Sequence, residues 1–136
     1  MKYLIYFGCA FVVLLTNLSF QQKPSFDLKA SAARGKEVYV AQCLSCHMDE
    51  GQGIEDVYPP LAKSDYLMAD KKRSIQQVLY GVKGEIKVKG KTYDLEMTGF
   101  DLTNQEASDV LNYIRNSWGN KGSAVTTEEV KTARKK

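Results

Sequence analysis

One five-residue segment constrains this chain more than any other, because it places two thiols and the only imidazole within one turn of polypeptide. The segment reads Cys43-Leu44-Ser45-Cys46-His47. Two cysteines three positions apart, followed at once by histidine, form the pattern to which a haem is covalently attached. Each thiol can add to one of the two vinyl groups of a haem, and the adjacent imidazole then faces the iron. The segment therefore predicts one covalent haem, with Cys43 and Cys46 as its attachment points and His47 as an iron ligand.

Three other chemistries use cysteines at this spacing. A zinc site needs four ligands, but the only other cysteine is Cys9, in the apolar first stretch, and the chain has no second histidine. A thioredoxin-like redox pair is expected within a βαβ unit, whereas the residues around this segment have a helical pattern. A plain disulfide between Cys43 and Cys46 stays open if the chain folds in an oxidising compartment.

The first 20 residues indicate export. Lys2 is followed by an uncharged apolar run over residues 3–15, which is typical of a secretory signal peptide. The run is short for a bilayer span, which needs about 17–25 residues, but no Ala-x-Ala cleavage site follows it. Residues 1–20 are therefore a removed signal peptide or an uncleaved N-terminal membrane anchor. Both alternatives predict an exported, periplasmic protein that is either soluble or tethered to the membrane.

The charge balance argues against a nucleic-acid partner. The chain has 136 residues, 19 Lys and Arg, and 16 Asp and Glu, a length that suits one compact domain. Removing residues 1–20 takes away Lys2 and no acid, which leaves 18 basic against 16 acidic residues. This near balance, without a basic aromatic stripe, does not indicate nucleic-acid binding.

The remaining sequence divides into a short polar linker, residues 21–30, and one mainly helical domain, residues 31–136. A helical pattern starts at Ser31 and leads into Cys43, a short helix starts near Ser64, and another covers about residues 72–80 and stops at Gly81. Residues 85–93 alternate apolar and lysine positions around a glycine, the pattern of a small β-hairpin.

The clearest helix follows a capping box formed by Thr103 and Glu106. Apolar residues then recur at helical spacing as far as Trp118, and Gly119 is the expected stop. A further short helix is expected to start at Thr126.

The single histidine excludes ligation by two histidines of the same chain, so the sixth iron ligand is a methionine, water or something rarer. Two methionines are candidates, since Met48 adjoins His47 and cannot reach the opposite face. Met97 is favoured because it lies in a loop directly before the capped helix, which can hold that loop across the haem. Met68 lies in helical sequence, where a core role is more common, and it stays open as the alternative.

Taken together, these motifs resemble single-domain class I cytochromes c, above all the modules of bacterial respiratory chains that occur alone or fused to oxidoreductases. The resemblance covers residues 33–130. Beside the cysteine motif it is carried by Gly35-Lys36-Glu37-Val38-Tyr39, by Gly51 and Gly53, by Tyr58-Pro59-Pro60-Leu61, and by Leu111-Asn112-Tyr113-Ile114-Arg115-Asn116-Ser117-Trp118-Gly119-Asn120. The segment over residues 83–93 is longer than in the smallest members.

The resemblance implies an all-α cytochrome c fold wrapped around one covalent haem c, with a small β-hairpin before the axial methionine loop. It assigns the axial methionine to Met97 and implies that the Pro59 carbonyl accepts a hydrogen bond from His47. The implied function is that of a mono-haem electron carrier, not an enzyme, which passes single electrons between respiratory or periplasmic redox proteins. A monomer and a subunit of an oxidoreductase complex both fit, and the donor and acceptor are not specified.

Four lysines of the hairpin region have two interpretations. They can form a docking surface for an acidic redox partner, or they can be the solvated face of a strand, which is the commoner case. These lysines are Lys83, Lys87, Lys89 and Lys91.

Overall fold

A computed structural model describes residues 25–134 of the chain. The predictions for residues 1–20, and those for residues 21–24, lie outside the described part. Helices dominate that part, and they are joined by loops and four short strands. In chain order the elements are α1 (Leu28–Gln42), α2 (Leu44–His47), α3 (Asp65–Ala69), α4 (Lys71–Tyr80), β1 (Gly81–Val82), β2 (Ile86–Val88), β3 (Lys91–Tyr93), β4 (Met97–Thr98), α5 (Asn104–Ile114) and α6 (Thr127–Arg134).

The core forms where α1 crosses α5 at very short range. A Cβ atom at Gly35 would lie 1.9 Å from the carbonyl oxygen of Asp109, so only glycine allows this approach. Tyr39 of α1 and Val110 and Leu111 of α5 are almost completely buried beside the crossing. The crossing fixes the direction in which α1 delivers the cysteine motif.

The α1 helix begins earlier than its sequence pattern predicts. It starts at Leu28 rather than Ser31, so residues 28–30, expected in the linker, are helical. The cause is Asp27, whose side chain accepts a hydrogen bond of 2.9 Å from the Ala30 amide and caps the helix. Aspartate at this position is a strong helix start signal.

The α5 helix begins as predicted and ends sooner. Thr103 and Glu106 form the expected capping box, but the helix stops at Ile114. Trp118 and Gly119 have left-handed backbone angles, with φ of 52° and 88°. This turn folds the Trp118 ring back over Gly51, where an added Cβ would lie 2.4 Å from the ring.

The predicted hairpin is present as β2 and β3. The two strands are antiparallel, with Ile86 opposite Tyr93 and Val88 opposite Lys91. Lys89 and Gly90 form the turn, with φ of 50° and 82°. A two-residue hairpin loop whose twist matches that of its strands needs a positive φ at both positions.

A second pair of strands was not expected from the sequence. Strand β1, directly after α4, pairs antiparallel with β4, so that Gly81 lies opposite Thr98 and Val82 opposite Met97. The pairing continues beyond β4, because the Phe100 amide donates a hydrogen bond of 3.0 Å to the Val78 carbonyl in α4.

The last helix, α6, packs against α4 and α5. Val125 and Val130 are fully buried there, and Thr126 and Glu129 cap the helix as expected, with the Thr126 amide donating to the Glu129 carboxylate at 2.8 Å. Among residues 25–134, no helix is both long and apolar enough to cross a membrane.

A buried carboxylate ties α1 to α5. Asp109 accepts hydrogen bonds from Arg34 Nε at 2.7 Å, from Ser31 Oγ at 2.5 Å and from Gln105 Nε2 at 2.9 Å. Burial alone would raise the pKa of Asp109, but these donors outweigh it and hold the pKa below its ordinary value. The ionised form of Asp109 therefore stabilises the crossing.

Replacing Gly35 by alanine tests the crossing. Alanine normally stabilises a helix relative to glycine, but here its Cβ would clash with the α5 backbone, so Gly35→Ala should lower the free energy of unfolding by about 1–3 kcal/mol. Urea unfolding measures this change. The control Lys36→Ala, at an exposed neighbouring position, should have little effect; a Gly35→Ala protein as stable as wild type would contradict the close approach.

Acid titration of stability tests the Asp109 cluster. The pKa of Asp109 in the folded state lies below the unfolded value of about 3.9. The contribution of Asp109 to the free energy of unfolding is therefore complete above about pH 3.9 and is lost as the pH falls through the folded-state pKa. Asp109→Asn should cost about 1–3 kcal/mol at pH 7 and flatten the acid limb of the stability profile. The exposed control Asp101→Asn should leave both unchanged. An acid limb as steep in Asp109→Asn as in wild type would argue against the cluster.

Candidate haem site

The cysteine motif forms a separate helical turn at the end of α1. The Cys43 amide still donates to the Tyr39 carbonyl of α1 at 2.8 Å, and α2 then carries the motif from Leu44 to His47. The chain reverses at Met48, which has a φ of 64°. The Tyr39 hydroxyl donates to the Met48 carbonyl at 2.6 Å, so α1 holds both ends of the motif.

The surroundings of Cys43 do not activate its thiol for redox chemistry. Both are free and half-buried, and burial, with a smaller contribution from Cys46, raises the pKa of the Cys43 thiol to about 11. A thioredoxin-like cysteine needs the opposite, a depressed pKa that provides a thiolate. Cys43 is therefore a poor redox nucleophile.

The motif also does not form a conventional metal site. Within the described residues 25–134, no three His, Cys, Asp or Glu side chains come together as ligands for one metal ion. The described residues therefore do not form the ligand cluster that a structural zinc site needs.

His47 is held by the segment that follows the motif. Its Nδ1 lies 3.0 Å from the Pro59 carbonyl oxygen, and an interaction with a carbonyl requires that Nδ1 carry the proton. Burial lowers the pKa of His47, and the Pro59 hydrogen bond offsets this only in part, so the neutral imidazole is favoured. In that tautomer Nε2 carries the free lone pair, as an iron ligand must.

Two glycines make this hydrogen bond possible. Gly53 has a φ of 66°, and a Cβ there would lie 2.2 Å from the Tyr58 carbonyl oxygen and 2.8 Å from that of Pro59. The Gly51 carbonyl accepts hydrogen bonds from the Leu61 and Ala62 amides at 2.7 and 2.9 Å. The segment therefore closes tightly around the motif and brings the Pro59 carbonyl to the imidazole.

Met97 lies in strand β4 rather than in the loop expected from the sequence. It is half-buried, and its strand is held against the end of α4 by two close backbone contacts. A Cβ at Gly81 would lie 2.2 Å from the Met97 carbonyl oxygen, and a Cβ at Gly99 would lie 2.5 Å from the Leu79 carbonyl oxygen. Met97 is thus carried by a short, tightly packed ladder.

Met68, the alternative ligand, lies in α3. It is half-buried, and the preceding residue, Leu67, packs against the hydrophobic core. The two methionines therefore belong to different elements, a packed ladder and a five-residue helix.

The apolar side chains of the core fall into two groups. Val38, Leu61 and Phe100 are only partly buried at its margin. Leu79, Leu111 and Ile114 are buried in the core itself. The partly buried apolar margin, the two half-buried thiols and the oriented imidazole together fit a covalently held haem.

Two of the four lysines of the expected docking surface are paired with carboxylates. Lys83 lies 3.1 Å from Glu96, and Lys91 contacts Glu55 and lies 3.4 Å from Asp56. These pairs are exposed and contribute little to stability, but they reduce the positive charge of the hairpin.

The Cytochrome c family model matches residues 32–118 of the chain. The chain belongs to the cytochrome c family. It is a c-type cytochrome that functions in electron transfer, and this confirms the family, the fold and the electron-carrier function predicted from the sequence.

The individual proteins that the chain resembles are also cytochromes c or cytochrome c subunits. The chain is 40% identical over 119 residues to cytochrome c-552 of Thermus thermophilus, covering 80% of each protein. It is 34% identical over 88 residues to the cytochrome c subunit of a quinone alcohol dehydrogenase from Gluconobacter oxydans, covering 63% of this chain and 18% of that subunit. It is 35% identical over 107 residues to the cytochrome c subunit of gluconate 2-dehydrogenase from Pantoea cypripedii, covering 74% of this chain and 24% of that subunit.

Replacing Gly53 by alanine tests how the imidazole is held. The new Cβ would displace the Tyr58 and Pro59 carbonyls, so the NMR signal of the hydrogen-bonded His47 Nδ1 proton should exchange with solvent faster than in wild type. Gly84→Ala is a matched control, because Gly84 also has a positive φ, 80°, but has no atom within 4 Å of an added Cβ. Both variants place a side chain at a positive φ, which costs about 1–2 kcal/mol, so equal exchange rates in the two would contradict the role of Gly53.

Proposed function

We propose that this cytochrome carries a single haem c, attached covalently through Cys43 and Cys46 and ligated axially by His47 and Met97, and that it is an exported carrier of single electrons. The observation that supports this most directly is the 3.0 Å contact between His47 Nδ1 and the Pro59 carbonyl. It orients the only histidine of the chain with Nε2 as the available ligand atom. Such a hydrogen bond fixes the ring and raises the basicity of the ligand.

When bound, haem c supplies the one-electron couple between ferric and ferrous iron. The residues of the chain set how readily that couple is used. A methionine ligand raises the reduction potential, and so does burial of the ring among apolar side chains. Because His47 is held by Pro59 and Met97 by a strand ladder, neither ligand has to move when the charge of the site changes.

We propose a carrier that exchanges electrons with separate proteins, because the chain is 40% identical to cytochrome c-552. A subunit of an oxidoreductase complex is the second candidate, because the cytochrome c subunits of two dehydrogenases are 34% and 35% identical to the chain over the matched residues. We propose donor and acceptor redox proteins that dock transiently, since electron-transfer contacts are small. The apolar run over residues 3–15 supports export to the periplasm, as a soluble or a membrane-tethered protein.

Replacing each candidate methionine separately tests the ligand assignment. Met97→Ala should abolish the methionine-to-iron charge-transfer band of the ferric protein, lower the reduction potential and let the ferrous protein bind carbon monoxide rapidly. Met68→Ala is the matched control and should keep the band and the potential. Visible spectra, a redox titration and mixing with carbon monoxide measure these changes.

Loss of the band in Met68→Ala but not in Met97→Ala would transfer the assignment to Met68. Rapid carbon monoxide binding by the ferrous wild-type protein at neutral pH would mean that the sixth position is open, and the electron-carrier proposal would then be wrong.

A further inference from the structure

The C-terminal segment, residues 119–134, lies beyond the part of the chain matched by the family model, which ends at residue 118. It is nevertheless tightly docked. Val125 is fully buried; its carbonyl accepts hydrogen bonds from Ser108 Oγ at 2.7 Å and Asn112 Nδ2 at 2.8 Å, and its amide donates to Asn112 Oδ1 at 2.7 Å. These bonds anchor the first half of the segment to the middle of α5.

The second half of the segment ends on a different part of the fold. Arg134, the last residue of α6, donates from Nε to Asn104 Oδ1 at 2.7 Å and from its guanidinium to the Leu102 carbonyl. The Arg134 carbonyl in turn accepts a hydrogen bond of 3.2 Å from the Tyr80 hydroxyl. One residue thus joins the end of α4, the start of α5 and the connection between β4 and α5.

The partners of Arg134 belong to the chains of both strands of the ladder that carries Met97, at the end where Gly81 lies opposite Thr98. Tyr80 is the residue before β1. Leu102 follows β4, and its amide donates to the Phe100 carbonyl at 3.0 Å while the Phe100 amide donates to Val78. Arg134 therefore connects the chain that enters the ladder on the β1 side to the chain that leaves it on the β4 side.

We propose that Arg134 is a positioning residue for the axial methionine: it joins the two chains at the end of the β1–β4 ladder where Gly81 lies opposite Thr98, and so slows the opening of the segment that carries Met97. A ladder of two residue pairs has little stability of its own, and such short elements open locally. Hydrogen bonds from a charged guanidinium to an amide oxygen and a carbonyl are among the stronger ones. This inference rests on the proposed ligation by Met97.

The physical consequence concerns ligand exchange at the site. An external ligand such as imidazole can take the sixth position only when Met97 has moved away, so its rate of binding reports the opening of the ladder. If Arg134 holds the ladder shut, its loss should accelerate this exchange more than it lowers the overall stability. A residue with a merely structural role would change the rate of imidazole binding and the overall stability in proportion.

The test is stopped-flow binding of imidazole to the ferric holoprotein, together with urea unfolding. Arg134→Ala should bind imidazole roughly tenfold faster than wild type, since the two side-chain hydrogen bonds to Asn104 and Leu102 are lost while the backbone carbonyl still accepts from Tyr80. Asn104→Ala removes one acceptor of Arg134 and should act in the same direction by a smaller factor. If Arg134→Ala fails to fold, Asn104→Ala decides the question alone.

Two controls separate positioning from general stability and from charge. Ser108→Ala weakens the anchor of the same C-terminal segment at Val125, away from the ladder, and should change the imidazole rate less than about twofold even where it lowers stability. Lys131→Ala removes a positive charge from the exposed face of the same helix, where Lys131 lies 3.9 Å from Glu128, and should match wild type.

Equal acceleration in Arg134→Ala and Ser108→Ala at equal loss of stability would overturn the positioning role while leaving the methionine ligation intact. A ferric wild-type protein without the methionine-to-iron charge-transfer band would instead overturn the ligation by Met97, and the positioning role with it.

Discussion

The site depends on how the His47 imidazole is held, because a single histidine must present one defined nitrogen. The Pro59 carbonyl supplies the restraint at 3.0 Å, and it can do so only because Gly53 lets the following segment fold back without a side chain in the way. Gly51 adds to this restraint. Its carbonyl accepts hydrogen bonds from two backbone amides of that segment, and its Cα lies against the Trp118 ring. The orientation of one ring is thus connected through two glycines to the end of α5.

The methionine candidate is held by different means on the same helical frame. The crossing of α1 and α5 at Gly35 places the cysteine motif, and α4, which packs on α5, ends where the β1–β4 ladder begins. Histidine and methionine are therefore carried by two separate segments, one closed by glycine turns and the other by backbone pairing. Ligands that are fixed before an electron arrives need little rearrangement, which suits an electron carrier.

Elements with a strong local signal could be predicted from the sequence. The Thr103 and Glu106 capping box, the alternating pattern of the hairpin and the cysteine motif are each specified by neighbouring residues, and the first two appear in the structure. The distance between His47 and Pro59 agrees with what the family resemblance implied. The assignment of the thioether and iron ligands stays a prediction.

The features that the sequence did not reveal depend on contacts between distant residues. Strands of two residues, such as β1 and β4, leave no periodic pattern, and their pairing depends on backbone approach at Gly81 and Gly99. The packing of Trp118 on Gly51, beyond the early end of α5, likewise joins residues far apart in the sequence. The bonds of Arg134 to α5 and to the β4–α5 connection join residues 30 and 32 positions apart. The start of α1 is different, because the capping residue Asp27 was visible in the sequence.

Covalent attachment of one haem by the two thiols underlies the whole site, and it can be checked by the intact mass of the purified protein after acid–acetone extraction. The protein should be produced in a host that exports and matures c-type cytochromes. The extracted polypeptide should keep its Soret absorption and the added mass of one haem, and Cys43→Ser combined with Cys46→Ser should lose both. A wild-type polypeptide that gives up all its haem to the solvent, or that carries the mass of two haems, would contradict it.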